Sequence, residues 1–545
     1  MQGKFILMAG VAVVALVASS DAGLAKAKKH HATTPAPSSY DAPAPATDSG
    51  PSNAELNSRL SALEAALASE HDARTSDHNR LSGLEQSFND VTWTFDNGRP
   101  TIKSGDGRFT MSVRARFQAD FAGFMQSTTH PAGFAGSADL SSGAVVRRAY
   151  FGIEGTAYRD FAYELRLNAG GSDGGSAGAA GVPNAGEGDP LLNKAQLTYT
   201  GLPHFRFSVG VLEPAFMFEG TTSSAALIFM ERPEIDNIAA DSFGAGDSRR
   251  GVEVGWQMTD ALWSGDNINI STAFTGNKTG SQGNHGNGGD ENAQWLGRIS
   301  DRLWTDGARS NIALGASGAY VPYTGSGTNG ATQTLRFRDR PEIRVDGTRL
   351  IDTGAIASKT GKMFAVDLGG NWENFFVGGE WAQFTMDRQC GAIGAAPGCT
   401  TALSVADHPN FSGWYAEASW ILTGEAKSYS ASAINNEAGG FQAPVPSRPF
   451  SFSGDSWGAW ELAARYSNTQ MNWHQPQVAI AGVHLAGIPG GDERVLAIAL
   501  NWYMNRNVRL MLDDNIVTVQ KGTAALHNRD GQSLNIVGVR LQFAN

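Results

Sequence analysis

Cysteine, charge and long apolar runs are what this sequence has least of. Two cysteines in 545 residues limit it to a single internal disulfide. Charged residues make up 17 % of the chain, below the roughly 25 % usual for soluble domains. Beyond the N-terminal segment no stretch of roughly 18 apolar residues occurs, so no transmembrane helix is expected there. The net charge of −11 argues against nucleic acid as a partner, because nucleic acid selects a basic face. Lysine is scarce after residue 105: Lys194, Lys278, Lys359, Lys362, Lys427 and Lys521 are all of them. What the sequence does have is strict alternation. In 108–121, RFTMSVRARFQADF, seven apolar residues fall on one face of an extended chain, while Arg114 and Arg116 fall on the other.

Residues 1–27 read as a signal peptide: Lys4 gives a charged start, Phe5 to Ala18 an apolar core, and Ala25-Lys26-Ala27 a small-x-small cleavage site. The chain is therefore expected to be exported. In an oxidising compartment Cys390 and Cys399, nine positions apart in CGAIGAAPGC, read as a disulfide closing a surface loop. Residues 28–53, rich in Pro, Ala and Ser, read as a disordered linker. Over 54–90 the period changes: Leu56, Leu60, Leu63, Leu67, Leu81, Leu84 and Phe88 keep one alternating 4–3 register, with Glu70, Arg74 and Asp77 on the same seam. This predicts a coiled-coil helix with a polar centre, or else a single amphipathic helix lying on another surface.

From residue 105 to 545 the chain reads as one all-β domain. Strands are expected at 109–121, 145–155, 161–168, 191–200, 204–211, 250–258, 266–275, 293–302, 311–321, 363–371, 374–384, 411–422, 458–468, 493–503, 506–518 and 534–543. Short turns such as Thr156-Ala-Tyr-Arg-Asp160, Gly201-Leu-Pro203 and Trp372-Glu-Asn374 alternate with long connections. That parity predicts an antiparallel transmembrane β-barrel with short periplasmic turns and long external loops. With apolar sides on lipid, every backbone group is satisfied only if the sheet closes, and the polar sides line a water-filled pore. Segment 423–457, long where a short turn is due, breaks the parity.

The ordered strings Arg147-Arg-Ala-Tyr-Phe-Gly-Ile-Glu-Gly155, Val209-Gly-Val-Leu-Glu-Pro214, Met230-Glu-Arg-Pro233, Arg340-Pro-Glu-Ile-Arg344, Leu422-Thr-Gly-Glu425, Gly458-Ala-Trp-Glu-Leu-Ala-Ala-Arg-Tyr-Ser467 and Asn501-Trp-Tyr503 resemble the phosphate-selective porins of the O/P type. The resemblance implies a 16-stranded, homotrimeric bacterial outer-membrane channel for small anions or other hydrophilic solutes. It also implies that the loop 212–249 folds inward and puts Arg232 and Arg249 near a constriction. By alternation Arg114, Arg116, Arg148, Arg166, Arg465 and Arg540 face the lumen, as guides for ions or as braces paired with carboxylates such as Glu164 and Glu461. Family members described as phosphate-specific use lysines at the constriction, and here lysines are few. The loops carry Asp173, Glu187, Asp189, Asp241, Asp247, Asp290 and Glu291. An acidic mouth favours cations, giving a general or cation-preferring channel as the alternative. Phe543, followed by Ala544-Asn545, is expected to act as the assembly signal at the C-terminus.

A barrel enzyme would need a nucleophile and a base within reach at a strand end. The seven histidines after residue 105 fall in loops or beside a turn, so no enzymatic activity is expected. The glycine-rich 169–178 lacks the Lys-Ser/Thr of a phosphate loop, and 285–291 lacks the spacing of a calcium loop. No cofactor or metal site is expected. The helix at 54–90 is a trimer clamp or a tether from outer-membrane lipid to the cell-wall layer.

Overall fold

The computed structural model describes residues 51–96, 98–126, 140–171, 192–245, 248–278, 293–324, 334–388, 408–431, 438–473, 479–480, 483–484, 488–523 and 526–545. The expected signal peptide, nearly all of the linker, and Cys390 and Cys399 lie outside the described residues. Two units are present, residues 1–79 and 80–545.

Helix α1 spans Asn53–Asn89. Ser52 caps its start: Ser52 Oγ accepts from the Glu55 amide, at the third helical position, at 3.3 Å. The pairs Glu55–Arg59 (2.8 Å) and Glu70–Arg74 (2.7 Å) run one turn apart along its surface. Leu56, Leu60, Leu63, Leu67, Leu81 and Leu84 are all exposed along this helix.

Strands β1 (Thr92–Asp96) and β2 (Arg99–Lys103) form a hairpin that the sequence reading missed. Sixteen longer strands follow: β3 (Thr110–Gln126), β4 (Gly143–Ala157), β5 (Phe161–Asn168), β6 (Leu192–Tyr199), β7 (Phe205–Leu212), β8 (Arg249–Thr259), β9 (Asn267–Lys278), β10 (Ala293–Asp306), β11 (Ser310–Tyr323), β12 (Ile356–Trp372), β13 (Phe375–Arg388), β14 (Asn410–Ile421), β15 (Ala459–Trp473), β16 (Ile488–Tyr503), β17 (Val508–Thr523) and β18 (Leu526–Ala544). Each pairs antiparallel with the next. The sheet closes where β18 meets β3, from Leu534 opposite Gln126 to Ala544 opposite Arg116. Below that level the start of β3 would be a bare edge, and β2 covers it through Thr101–Ser112 and Ile102–Met111.

The faces alternate as a lipid-embedded barrel requires. Phe117, Phe121 and, at 59 % exposure, Phe151 point outward, while Arg116, Gln118 and Asp120 are buried inside. Trp460 also lies on the outer side, stacked on Trp502 with ring centroids 5.3 Å apart.

The interior corrects one expectation: it is not water alone. Loop 213–248, with helices α2 (Phe218–Thr221) and α3 (Glu234–Phe243), folds inside and carries a hydrophobic core made of Phe216, Phe218, Phe229, Phe243 and Ile238. Segment 334–355 joins it through Phe337, Ile343, Leu350 and Ile351. The facing wall is accordingly apolar on its inner side too, at Phe384, Phe411, Val495 and Ala497.

The described parts of segment 423–457, residues 423–431 and 438–457, enter from the short-turn end. Gly424, at φ 93°, makes the bend that only glycine adopts freely. The Glu425 carboxylate then ties both ends of the segment, accepting from the Ser447 amide at 3.0 Å and its hydroxyl at 2.8 Å. Phe441 at its inner reach packs on Phe218 (5.8 Å) and Phe376 (5.2 Å). Phe441→Ala is expected to lower stability by about 3–5 kcal/mol, read as a drop in the midpoint of heat unfolding in detergent micelles. An unchanged midpoint would show that the two inward segments do not support one another.

Candidate functional site: an arginine-lined, loop-narrowed lumen

Loop 213–248 crosses the lumen because its backbone is held by side chains from walls on several sides. From β18, Arg540 donates to the Met230 carbonyl. Asp513 on β17 accepts from the Met230 amide at 2.7 Å. Arg509 donates to the carbonyls of Leu227 (2.6 Å) and Ile228 (3.1 Å). Across the barrel, Glu380 on β13 receives the amides of Phe218 (3.0 Å) and Glu219 (2.7 Å), and Tyr415 donates to the same carboxylate at 2.7 Å. Met217, at φ 58°, holds the strained turn that aims those amides.

The tightest ionic knot sits beneath Glu231. Arg540 makes a two-pronged contact with Asp120, at 2.6 and 2.7 Å, and donates to Glu231 Oε1 at 2.7 Å. Arg147 Nε donates to the same oxygen at 2.8 Å. Burial alone would raise the Glu231 carboxyl, but Arg147, Arg148, Arg540 and Arg344 outweigh it and hold it well below the usual carboxylate range. Arg147 and Arg148 are neighbours in sequence, yet both are buried on the inner side. A β-bulge explains this: Gln118 pairs with Arg148 but Ala119 with Val146, so Arg147 is the extra residue and turns inward as well.

A second cluster forms a row around the wall. Register places Arg114 opposite Gly152, Gly152 opposite Arg166, and Arg166 opposite Lys194. Gly152 leaves the row open between two arginines, and a Cβ there would strike the Leu165 carbonyl. Glu164 is shared by Lys194 (3.0 Å), Arg114 (3.3 Å) and Arg166 (3.5 Å). Arg114 also pairs with Glu154 at 2.9 Å, and Arg166 with Glu213 at the loop's start. Arg116 and Arg166 lie over the Tyr150 ring, 5.5 and 5.0 Å from its centroid.

Arg116 differs from the rest. Its guanidinium donates to Ser224 Oγ (2.5 Å) and Ser223 Oγ (3.0 Å), and no carboxylate pairs with it among the described residues. Arg114, Tyr150, Glu154 and Glu213 stay partly exposed on the inner face. Carboxylates gather on the opposite wall, at Asp367, Glu380, Glu417, Glu461 and Glu493 on β12 to β16.

The remaining arginines singled out by sequence serve the scaffold in this geometry. Arg465 donates to Glu342 Oε2 at 2.5 Å and to the Glu231 carbonyl at 3.0 Å. Arg232 donates to the carbonyls of Glu219 and Thr222, both at 2.7 Å, within its own loop. Arg249 donates to the Ala240 and Asp241 carbonyls, each at 3.0 Å, at the C-terminal end of α3. Sequence reasoning did not single out Arg147, Arg344 or Arg509, and it put Lys194 in an expected strand without naming it as a lumen residue. Lys194 shares parity with Gln196 and Thr198, a signal that was available; the bulge at Arg147 left none.

A closed antiparallel cylinder with a greasy exterior and an inward loop crossing a charged lumen defines an outer-membrane porin. Residues 111–544 match the family described as phosphate-selective porin O and P, and the chain belongs to that family. It is 24 % identical to an uncharacterised protein of Caulobacter vibrioides over 459 residues, covering 83 % of this chain and 77 % of that one. It is 24 % identical to Porin O of Pseudomonas aeruginosa over 176 residues, 32 % of this chain and 35 % of that protein. Among solved structures it resembles the anion-selective porin from Comamonas acidovorans, at 12 % identity and TM-score 0.40, over 80 % of this chain and 100 % of that one.

Proposed function

We propose that this outer-membrane channel passes small hydrophilic solutes by diffusion and favours anions where loop 213–248 narrows it. The observation that carries this reading is Arg116, a buried cation held by two serine hydroxyls and the Tyr150 ring with no carboxylate paired to it among the described residues, beside a row in which three cations and three carboxylates balance. An anion passing the partly exposed Arg114 and Tyr150, with the Arg116 charge buried beside them, exchanges water for charge-assisted hydrogen bonds, and the carboxylates already held in the row keep the grip weak enough for release. Reversal potentials across a planar lipid bilayer under a salt gradient, repeated with added phosphate, test it. The expected result is an anion-directed potential with phosphate reducing current; a cation-directed potential with no phosphate effect supports the cation-preferring alternative instead.

The same reading includes a homotrimer. Beyond residue 105, tryptophan occurs only between Trp256 and Trp502, and the outer faces of β3 to β7, β17 and β18 have none. Tryptophan collects where protein meets the lipid interface. Its absence from one contiguous sector, which still exposes Phe121, Phe151, Leu165 and Leu541, supports that sector as the face turned to other copies. The exposed leucine seam of α1 supports its place in the periplasm as a clamp among three chains, or as a tether to the cell wall. Deleting residues 28–90 separates these: loss of trimers on native gels marks a clamp, and intact trimers with failed envelope attachment mark a tether. We assign no catalytic role; His408, the described loop histidine paired to an acid, lies 2.8 Å from Asp387 and joins β13 to its outer loop.

A further inference from the structure

The inward loop carries carboxylates that its surroundings do not neutralise. Glu234, the first residue of α3, is 1 % exposed, and its carboxyl group lies within hydrogen-bond reach of Glu493 on β16, which is 0 % exposed. Thr469 Oγ1 donates to Glu234 Oε2 at 3.2 Å. Glu234 Oε1 and both Glu493 oxygens have no donor among the described residues. Two ionised carboxylates in one dry contact repel each other and leave acceptor facing acceptor. One proton held between them supplies the absent donor and removes one of the two charges.

Glu342 and Asp339 of segment 334–355 add negative charge against the pair. Arg340 and Arg344 of the same segment act on Asp339, β15 brings Arg465, and the loop itself brings Glu231, Arg232 and Asp236. Arg465 is engaged by Glu342 at 2.5 Å, and Arg344 stands 3.8 Å from Asp339. Arg232 is held by two carbonyls of its own loop. Burial, followed by the Glu342 charge, pushes the Glu234 carboxyl up to about 8.

We propose that Glu234 and Glu493 share a proton that seats α3 against the barrel wall, so that the inward loop is a latch which loosens as the medium turns alkaline. This rests on the reading of loop 213–248 as the constriction. The sign follows from the raised carboxyl: the seated state holds a proton that a solvated glutamate gives up near pH 4.3. Seating is therefore strongest below that value, weakens up to tenfold per pH unit above it, and levels off above pH 8.

Single-channel recording of the full chain between pH 5 and 9 tests the latch. The frequency of large-conductance openings is expected to climb with pH and level off near pH 8. Glu493→Gln supplies a permanent amide donor and should hold openings at the acid-level frequency throughout. Thr469→Val keeps the volume, removes the hydroxyl that favours the ionised form, and should move the levelling point upward. A wild-type profile flat across this range overturns the proposal, as does a Glu493→Gln profile that still climbs, or, should that variant not assemble, an unmoved Thr469→Val profile. Reversal potentials recorded on the same channels report ion preference separately, so failure of the latch and failure of the anion reading can be told apart.

Discussion

Arg540→Met is expected to release the inward loop and to open the channel to larger, noisier currents. The methionine fills a similar volume but leaves Asp120 and Glu231 as buried carboxylates that have lost their shared guanidinium. Removing one partner of a buried ion pair costs about 3–5 kcal/mol. That cost falls on both the β3–β18 closure and the seat of Met230, so two readouts should move together. The unfolding temperature in micelles drops, and mean single-channel conductance rises. Arg540→Lys keeps the charge without the two-pronged contact and should fall between. Wild-type conductance in the methionine variant would show that Arg147 and Asp513 hold the loop without Arg540.

The second large effect is on selectivity. Arg116→Glu reverses a charge that no carboxylate among the described residues pairs with. At about 5 Å from a passing ion, one unit charge is worth about 1–3 kcal/mol between aqueous and protein-like screening. Reversal should therefore shift the anion-to-cation permeability ratio by at least about ten-fold. Arg114→Glu makes the same formal change beside Glu154 and Glu164, where Lys194 and Arg166 remain to answer the added negative charge, and should shift the ratio less. Equal shifts from the two would remove the special place given to Arg116.

The barrel wall was legible because its two solvents differ so sharply. Lipid outside and charge inside impose period two, and Phe161–Asn168 was placed to the residue. Strands reached past their expected ends toward the long loops, as in Ile356–Trp372, because pairing continues where alternation has faded. The arginine row was legible for the same reason. What period two cannot express is a residue out of step, and Arg147 in its bulge is such a residue. Nor does it foresee an interior made of protein: the inner faces of β13 and β16, with Phe384 and Ala497, read as apolar on both sides, yet nothing local says what covers them. The hairpin Thr92–Lys103 escaped notice because its pairing partner, the bare start of β3, exists only once the cylinder has closed.

The meeting of Phe441 with Phe218 has a consequence for how this chain can change over generations. One enters from the short-turn end and the other from the long-loop end, so the cylinder is a jacket wrapped around a globule on one flank. There a strand residue such as Phe376 answers to a neighbour on its inner side while Phe375 beside it answers to membrane. Substitutions are hemmed in from both directions along that flank, whereas the arginine-bearing flank retains freedom on its watery side. New solute preferences should therefore arise by drift in β3 to β6, with the opposite flank held nearly constant as their frame.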